Sequence, residues 1–249
     1  MYEIRQEQMN MYIQEHEAVT IKELQGHFNQ VSLMTIHRDL DALAEAGFVT
    51  KVRGGAKSIH HQRDLTFTTR AAENRPGKTR IAQKAVALIN EQGSIFIDCG
   101  TTCLALANIL PPTPAVVTTT GLNVAIALAN LQGPEIVVCP GQFHKENITV
   151  SGPSTLQFLE TINIDLAFIG VSGYAPGEGF TCGDEAEMHA KRSIIRRARK
   201  TALLCDQTKF RRLMPYTFAT LSDVDYVVTD KPPSEEFQAA AKAAGVTII

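Results

Sequence analysis

The sequence predicts an α/β protein in two parts: a winged helix-turn-helix over residues 1–57 and a doubly wound, mainly parallel sheet over residues 80–249. Three observations predict it. Three short helical patterns followed by a strand–turn–strand (FVTKV, RGG, AKSIH) open the chain. Residues 58–79 (SIHHQRDLTFTTRAAENRPGKT) are polar, basic and poor in aliphatics, and read as a linker or extended arm. From Ile81 onward, short apolar runs alternate with helical segments, the pattern of parallel strands covered by helices on both faces.

Taken in order, residues 3–16 read as a first helix with Ile4, Met9, Met11, Tyr12 and Ile13 as apolar candidates. Thr20 followed three residues later by Glu23 is a capping box, and Ile21, Leu24 and Phe28 share a face of the second helix. Ser32 is a good N-cap for the third, whose Ile36, Leu40 and Leu43 form an apolar stripe and which Gly47 ends. In the second part, strands are expected at 94–99, 115–120, 135–141, 165–173, 201–206, 225–230 and 246–249. Helices are expected at 81–91, 102–110, 122–131, 153–161, 185–200 and 234–244.

Bulk composition narrows the class. With 44% hydrophobic and 20% charged residues among 249, and no apolar run of membrane-spanning length, a soluble globular chain without membrane partners is expected. The polar start MYEIRQEQMN is not a secretory signal. Cysteines at 99, 103, 139, 182 and 205 are odd in number and form no CxxC pair. They predict free thiols in a reducing compartment, the cytoplasm, and neither disulfides nor a zinc site. The seven histidines show no metal spacing, and no cofactor is expected. Residues 1–57 hold six Lys/Arg against eight Asp/Glu, so DNA binding there must rest on where the bases sit rather than on their number.

The chemistry of the second part gathers at strand ends, where open α/β sheets place ligands. In IDCGTTCLAL a strand ends at Asp98, Gly100 permits a turn, and Thr101 and Thr102 open a helix. Helix N-terminal amides with two hydroxyls make a phosphate cradle, although an ordinary helix cap gives the same pattern. TTTGLN places Gly121 and Asn123, and CPGQF places Gly141, after further strands; each alone is plain turn chemistry. Glu187 and Lys191, four apart, share a helix face, as a solvated ion pair also would. Lys209 follows the strand ending at Asp206 and can serve as a point charge for phosphate. Together these signals predict one crevice for a small, anionic, hydroxyl-rich ligand. Asp98 and Glu187 would take its hydroxyls, and the Thr101/Thr102 amides with Lys191 or Lys209 its phosphate.

These residues resemble the DeoR family of bacterial transcriptional repressors over nearly the whole chain. The family's V-S-x-x-T-I-R-R-D-L signature stands here as Val31 to Leu40, followed by Leu43 to Gly47 and by Gly54–Gly55–Ala56. Its D-x-G-T-T, D-x-A-F-x-G, E-x-x-x-K, D-x-[ST]-K-F and T-D motifs stand at Asp98–Thr102, Asp165–Gly170, Glu187–Lys191, Asp206–Phe210 and Thr229–Asp230. Three departures occur: His37 replaces an arginine, Lys51–Val52–Arg53–Gly54 replaces a basic-x-His-Gly pattern, and Pro140–Gly141 replaces a glycine pair.

The resemblance implies a C-terminal fold similar to the ribose-5-phosphate isomerase/CoA-transferase-like fold, turned into a sensor. It implies major-groove contacts from Ser32, Leu33, Met34, Thr35, His37 and Arg38, with Lys51, Arg53 and Lys57 of the wing on backbone phosphates. An effector site is implied at Asp98, Gly100, Thr101, Thr102, Asn123, Gly141, Gly170, Glu187, Lys191 and Lys209. The implied function is a homo-oligomeric repressor of a sugar, sugar-alcohol or nucleoside catabolic operon, with operator DNA and a phosphorylated sugar or sugar alcohol as partners and no catalytic residue. The alternative is a sugar-phosphate isomerase-like enzyme using the phosphate loop and Lys209, which leaves the first 57 residues unexplained.

Overall fold

In a computed structural model, residues 2–16, 18–45, 48–58, 67–89, 93–210 and 212–249 are described. The first unit runs α1 (Tyr2–His16), β1 (Ala18–Thr20), α2 (Ile21–His27), α3 (Leu33–Glu45), β2 (Val49–Val52) and β3 (Gly55–Ser58). The capping box starts α2 as expected: Thr20 Oγ1 accepts from Glu23 N at 3.2 Å, and Thr20 N donates to Glu23 Oε2 at 2.7 Å. Ser32 starts α3 by accepting from Thr35 N at 3.2 Å.

Met9, Ile13, Leu24, Ile36, Leu40, Leu43 and Val49 bury together as one small core, while Met11 points out to solvent. The side chain of Ile4, and Gly47, lie outside the described residues. β1 adds to the wing as a third strand in the order β1-β3-β2. Gly55 makes this close pairing possible, because a Cβ there would collide with the Val19 carbonyl oxygen.

The second unit contains, in order, α4 (Phe67–Ala72), α5 (Arg75–Val86), β4 (Ser94–Ile97), α6 (Thr101–Ala107), β5 (Val116–Thr119), α7 (Leu122–Ala129), β6 (Glu135–Val138), β7 (Gln142–His144), β8 (Thr149–Ser151), α8 (Pro153–Leu159) and β9 (Ile164–Gly170). It continues with β10 (Gly173–Ala175), β11 (Gly179–Cys182), α9 (Glu185–Arg197), β12 (Ala198–Leu204), β13 (Tyr216–Ala219), β14 (Tyr226–Val228), α10 (Glu235–Ala243) and β15 (Thr247–Ile248). All seven expected strands form one sheet, ordered β15-β14-β12-β9-β4-β5-β6, and every pairing within it is parallel. Its strands therefore all end on one edge. α5, α6 and α7 pack a core on one face, around Ile81, Leu106 and Leu128, and α8, α9 and α10 pack another, around Leu159, Ile194 and Phe237.

Two features differ from the expectation. Residues 67–79, expected to belong to an extended arm, are largely helical. Phe67 is buried, and Asn74 caps α5 through its side chain onto Gly77 N at 3.3 Å. The segment is held by polar contacts rather than by an apolar stripe, which is why it lacks a helical signature. Residues 59–66 of that arm lie outside the described residues. Two small antiparallel arrangements, the β7–β8 hairpin and β10-β11-β13, were also not anticipated. Their strands are three or four residues long, and β10 and β11 are buried on both faces, so they show no alternation.

Candidate functional site

The edge where the parallel strands end holds a buried ionic cluster. Asp98 follows β4 and is turned by two backbone amides: Cys99 N donates to its Oδ1 at 2.8 Å and Gly170 N to its Oδ2 at 3.0 Å. Lys191 enters from α9, 2% exposed. Its ammonium meets three acceptors, Gly170 O at 2.6 Å, Glu187 Oε1 at 2.7 Å and Asp98 Oδ2 at 3.3 Å, matching its three N–H bonds. It also sits 4.8 Å from the centre of the Phe218 ring. Burial works against this charge, but Asp98 and Glu187 outweigh it and hold the Lys191 ammonium well above the usual lysine range. α9 itself begins on Asp184, whose Oδ1 accepts from Glu187 N at 2.9 Å and so orients the Glu187 backbone.

Beside this cluster lies a cavity of about 230 Å³. Asp98, Glu187 and Lys191 form its floor, and Asp184 and Ala190 of α9 close one side. The opposite wall is the β7–β8 hairpin, which contributes His144, Glu146, Asn147 and Ser151. His144 Nε2 and Ser151 Oγ are hydrogen-bonded across the hairpin at 2.8 Å. Four carboxylates against one fully engaged ammonium make a wall of acceptors, suited to the hydroxyl hydrogens of a polyol and repulsive to a phosphate.

The remaining expected residues are placed elsewhere. Gly100 is the N-cap of α6, and Thr101 and Thr102 form its first turn; none of the three lines this cavity. Gly170 joins the cluster through both its N–H and its carbonyl. Asn123 spends its Oδ1 on Val124 N at 2.9 Å, while its Nδ2 is buried with no hydrogen-bond partner among the described residues. Gly141, with φ +153°, leaves no room for a side chain beside Thr155 Oγ1.

Lys209 stands apart from Lys191. It is 5% exposed and faces Glu73 Oε2 at 3.5 Å, within a second polar cluster around Lys78, Asp206 and Asp230. There Asn74 Nδ2 donates to Asp230 Oδ2 at 3.2 Å. Burial, aided by the nearby Lys209 charge, lowers the Lys78 ammonium to about 8. The one expected crevice is thus two neighbouring clusters. The hairpin residues carried no motif; their only signal was the polar run QFHKENITVS between Gly141 and Gly152.

On the first unit, α3 presents Leu33 and Met34 at 43% and 81% exposure, with His37 and Arg38 also exposed. Thr35 Oγ1 is bonded to Ser32 Oγ at 2.9 Å. Lys51 of β2 pairs with Asp41 of α3, and Arg53 lies exposed at the turn of the wing. Asp39, which the helical stripe did not mark, is fully buried on the inner face of α3, where Arg5 Nε reaches it at 2.6 Å and Gln6 Nε2 at 3.2 Å. Among the described residues, no group of His, Cys, Asp and Glu could hold a metal ion, and no helix is long and apolar enough to cross a membrane.

Comparison with known proteins agrees with this layout. The family model described as the DeoR-like helix-turn-helix domain matches residues 5–62, and that described as the DeoR C terminal sensor domain matches residues 73–231. The HTH-type transcriptional regulator IolR of Bacillus subtilis is 30% identical over 94% of this chain and 93% of its own length. The glycerol-3-phosphate regulon repressor of Escherichia coli is 33% identical over 86% of this chain and 85% of its own. Among solved structures, ribose 5-phosphate isomerase A of Methanocaldococcus jannaschii is a remote likeness, with TM-score 0.39 and 16% identity over 53% of each chain.

Proposed function

Because the chain belongs to the DeoR family of transcriptional regulators, we propose that it is a repressor of a sugar or sugar-alcohol catabolic operon, released from its operator by a phosphorylated polyol bound at the strand-end cavity. The observation that carries the reading is the buried Asp98–Lys191–Glu187 cluster flooring an acceptor-lined cavity, in a chain that also exposes Met34, His37 and Arg38 on a helix of a winged unit. An apolar side chain as exposed as Met34, at the start of α3, suits contact with thymine methyl groups.

In this reading residues 1–57 bind DNA through Ser32, Leu33, Met34, Thr35, His37, Arg38, Lys51 and Arg53, residues 80–249 sense the effector, and the helical residues 67–79 belong with the sensor. The polyol hydroxyls face Asp98 and Glu187. The phosphate lies away from those carboxylates, toward the N-terminal amides of α6 and α7, where Asn123 carries its unpartnered Nδ2. The name of the E. coli glycerol-3-phosphate repressor supports an effector of this class. A homo-oligomer in the cytoplasm completes the reading, because two acidic DNA-binding units gain by acting together what each lacks in charge. The isomerase alternative loses its warrant: Lys209 lies outside the cavity, and Lys191 has no N–H left for a substrate.

The test is a thermal-shift screen of phosphorylated pentoses, hexoses and polyols, each beside its unphosphorylated parent. At 100-fold excess over Kd a native-state ligand adds about 2.7 kcal/mol and raises the melting temperature by several degrees. At least one phosphorylated compound is expected to do so and to release the chain from a duplex selected on it. A screen in which unphosphorylated parents act equally well would overturn the phosphate assignment.

A further inference from the structure

The β7–β8 hairpin faces two ways. Its inner side lines the cavity with His144, Asn147 and Ser151. Its tip also holds α4, the helix that follows residues 59–66 and through them the winged unit. Phe67 N donates to Glu146 O at 3.0 Å, and Arg70 Nη2 donates to Asn147 Oδ1 at 2.7 Å. From the other side Lys78 Nζ donates to the carbonyls of Arg70 and Glu73. Arg70 is therefore gripped at its backbone by one polar cluster and at its guanidinium by the cavity wall.

The tip is strained. Ile148 sits at φ +54°, a region that β-branched residues rarely enter. It is kept there by Leu122 at the start of α7, whose N–H donates to the Ile148 carbonyl at 3.1 Å. Arg70 Nε is buried with no hydrogen-bond partner among the described residues, a further uncompensated cost in the same contact. A strained loop and an incompletely satisfied cation, placed between a cavity and a helix, are the ingredients of an element with two arrangements of similar free energy.

We propose that Arg70 and Asn147 are a positioning pair through which occupancy of the cavity is passed to the DNA-binding unit. An occupant whose hydroxyl donates to Asn147 Oδ1 in place of Arg70, or which displaces the hairpin tip, frees the Arg70 guanidinium and lets α4 shift. This proposal rests on the sensor role of the cavity, but it is tested without any sugar phosphate.

The experiment is a double-mutant cycle on the full chain, using a duplex selected from random sequence on the wild-type protein. Arg70→Ala and Asn147→Ala are each expected to change duplex affinity at least fivefold in the same direction, and the double variant no further than either single. His144→Ala, on the cavity side, is expected to speed amide exchange of residues 67–72 at least fivefold while leaving residues 235–243 unchanged. If Arg70→Ala does not fold, Arg70→Lys, which keeps the cation and the aliphatic stem, replaces it in the cycle. Single variants within twofold of wild type, strictly multiplicative effects, or unchanged exchange at 67–72 would overturn the proposal. A blank sugar-phosphate screen would instead count against the effector class, since neither readout here depends on one.

Discussion

At the scale of single residues, Lys191 decides what the cavity can be. Its three N–H bonds are all committed to Gly170, Glu187 and Asp98, so in the proposed site it organises acceptors rather than meeting the effector itself. Lys191→Met would leave the buried Asp98 and half-buried Glu187 carboxylates facing each other without a cation. Breaking such a buried pair costs about 3 to 5 kcal/mol, and chemical denaturation should show a loss of that order. Spacing alone made Glu187 and Lys191 legible as a pair, and the turn after β4 made Asp98 legible. Lys209, expected in the same crevice, lies in the second cluster for a physical reason. Chain order reveals that a residue lies at a strand end, but not which strands are neighbours. β12, which Lys209 follows, lies beyond β9 from β4, and Lys209 meets Glu73, between α4 and α5, rather than the cavity.

At the scale of elements, α3 buries one face and exposes the other, where the proposed DNA contacts Met34, His37 and Arg38 lie. Ile36, Leu40 and Leu43 bury against the first unit's core, and this stripe was readable from its period. Asp39 was not, because a charged residue in the stripe reads as solvent-facing until its partner is known. Arg5, thirty-four residues earlier, supplies that partner and ties α1 to the inner side of α3. Asp39→Ala removes charge-assisted bonds to a partly exposed arginine, each of about 1.5 to 3 kcal/mol, and should lower stability without touching the outer face. Arg38→Ala should do the reverse, losing at least tenfold in duplex affinity while lowering stability far less than Asp39→Ala does. His37→Arg should steepen the salt dependence of duplex binding by about one counterion if it gains a phosphate contact. The hairpin β7–β8 was illegible for a different reason: its residues are polar because they line a cavity, and polarity without period reads as loop.

At the scale of the whole molecule, four buried cysteines set the response to alkali. Burial, reinforced by nearby Asp98 or Asp206, raises the thiols of Cys99, Cys103 and Cys205 far above the usual 9, and burial raises Cys139 to about 12. Thiols with raised folded values contribute stability that is complete below pH 9. It is lost as pH rises further, because the unfolded chain then releases protons that the folded chain keeps. Each such thiol gives a slope of about 1.4 kcal/mol per pH unit. Lys78, lowered to about 8, works the other way between pH 8 and 10.5, one group against four. Stability should therefore fall between pH 9 and 10.5, and Cys139→Ala should reduce the slope by one proton's worth, as denaturant melts at stepped pH would show.

The parallel sheet sets the larger arrangement, because it brings all its strand ends, the cavity and α4 to one edge. In the proposed function, what fills this cavity governs the hold on DNA. Fluorescence anisotropy of the selected duplex, titrated with a phosphorylated polyol that stabilises the chain, tests it most directly when wild type is compared with Ala190→Leu, whose added side chain occupies the cavity wall. Wild type is expected to release the duplex as the polyol phosphate saturates, and Ala190→Leu to need at least tenfold more of it. Release at the same concentration in both proteins would overturn the effector role of the cavity.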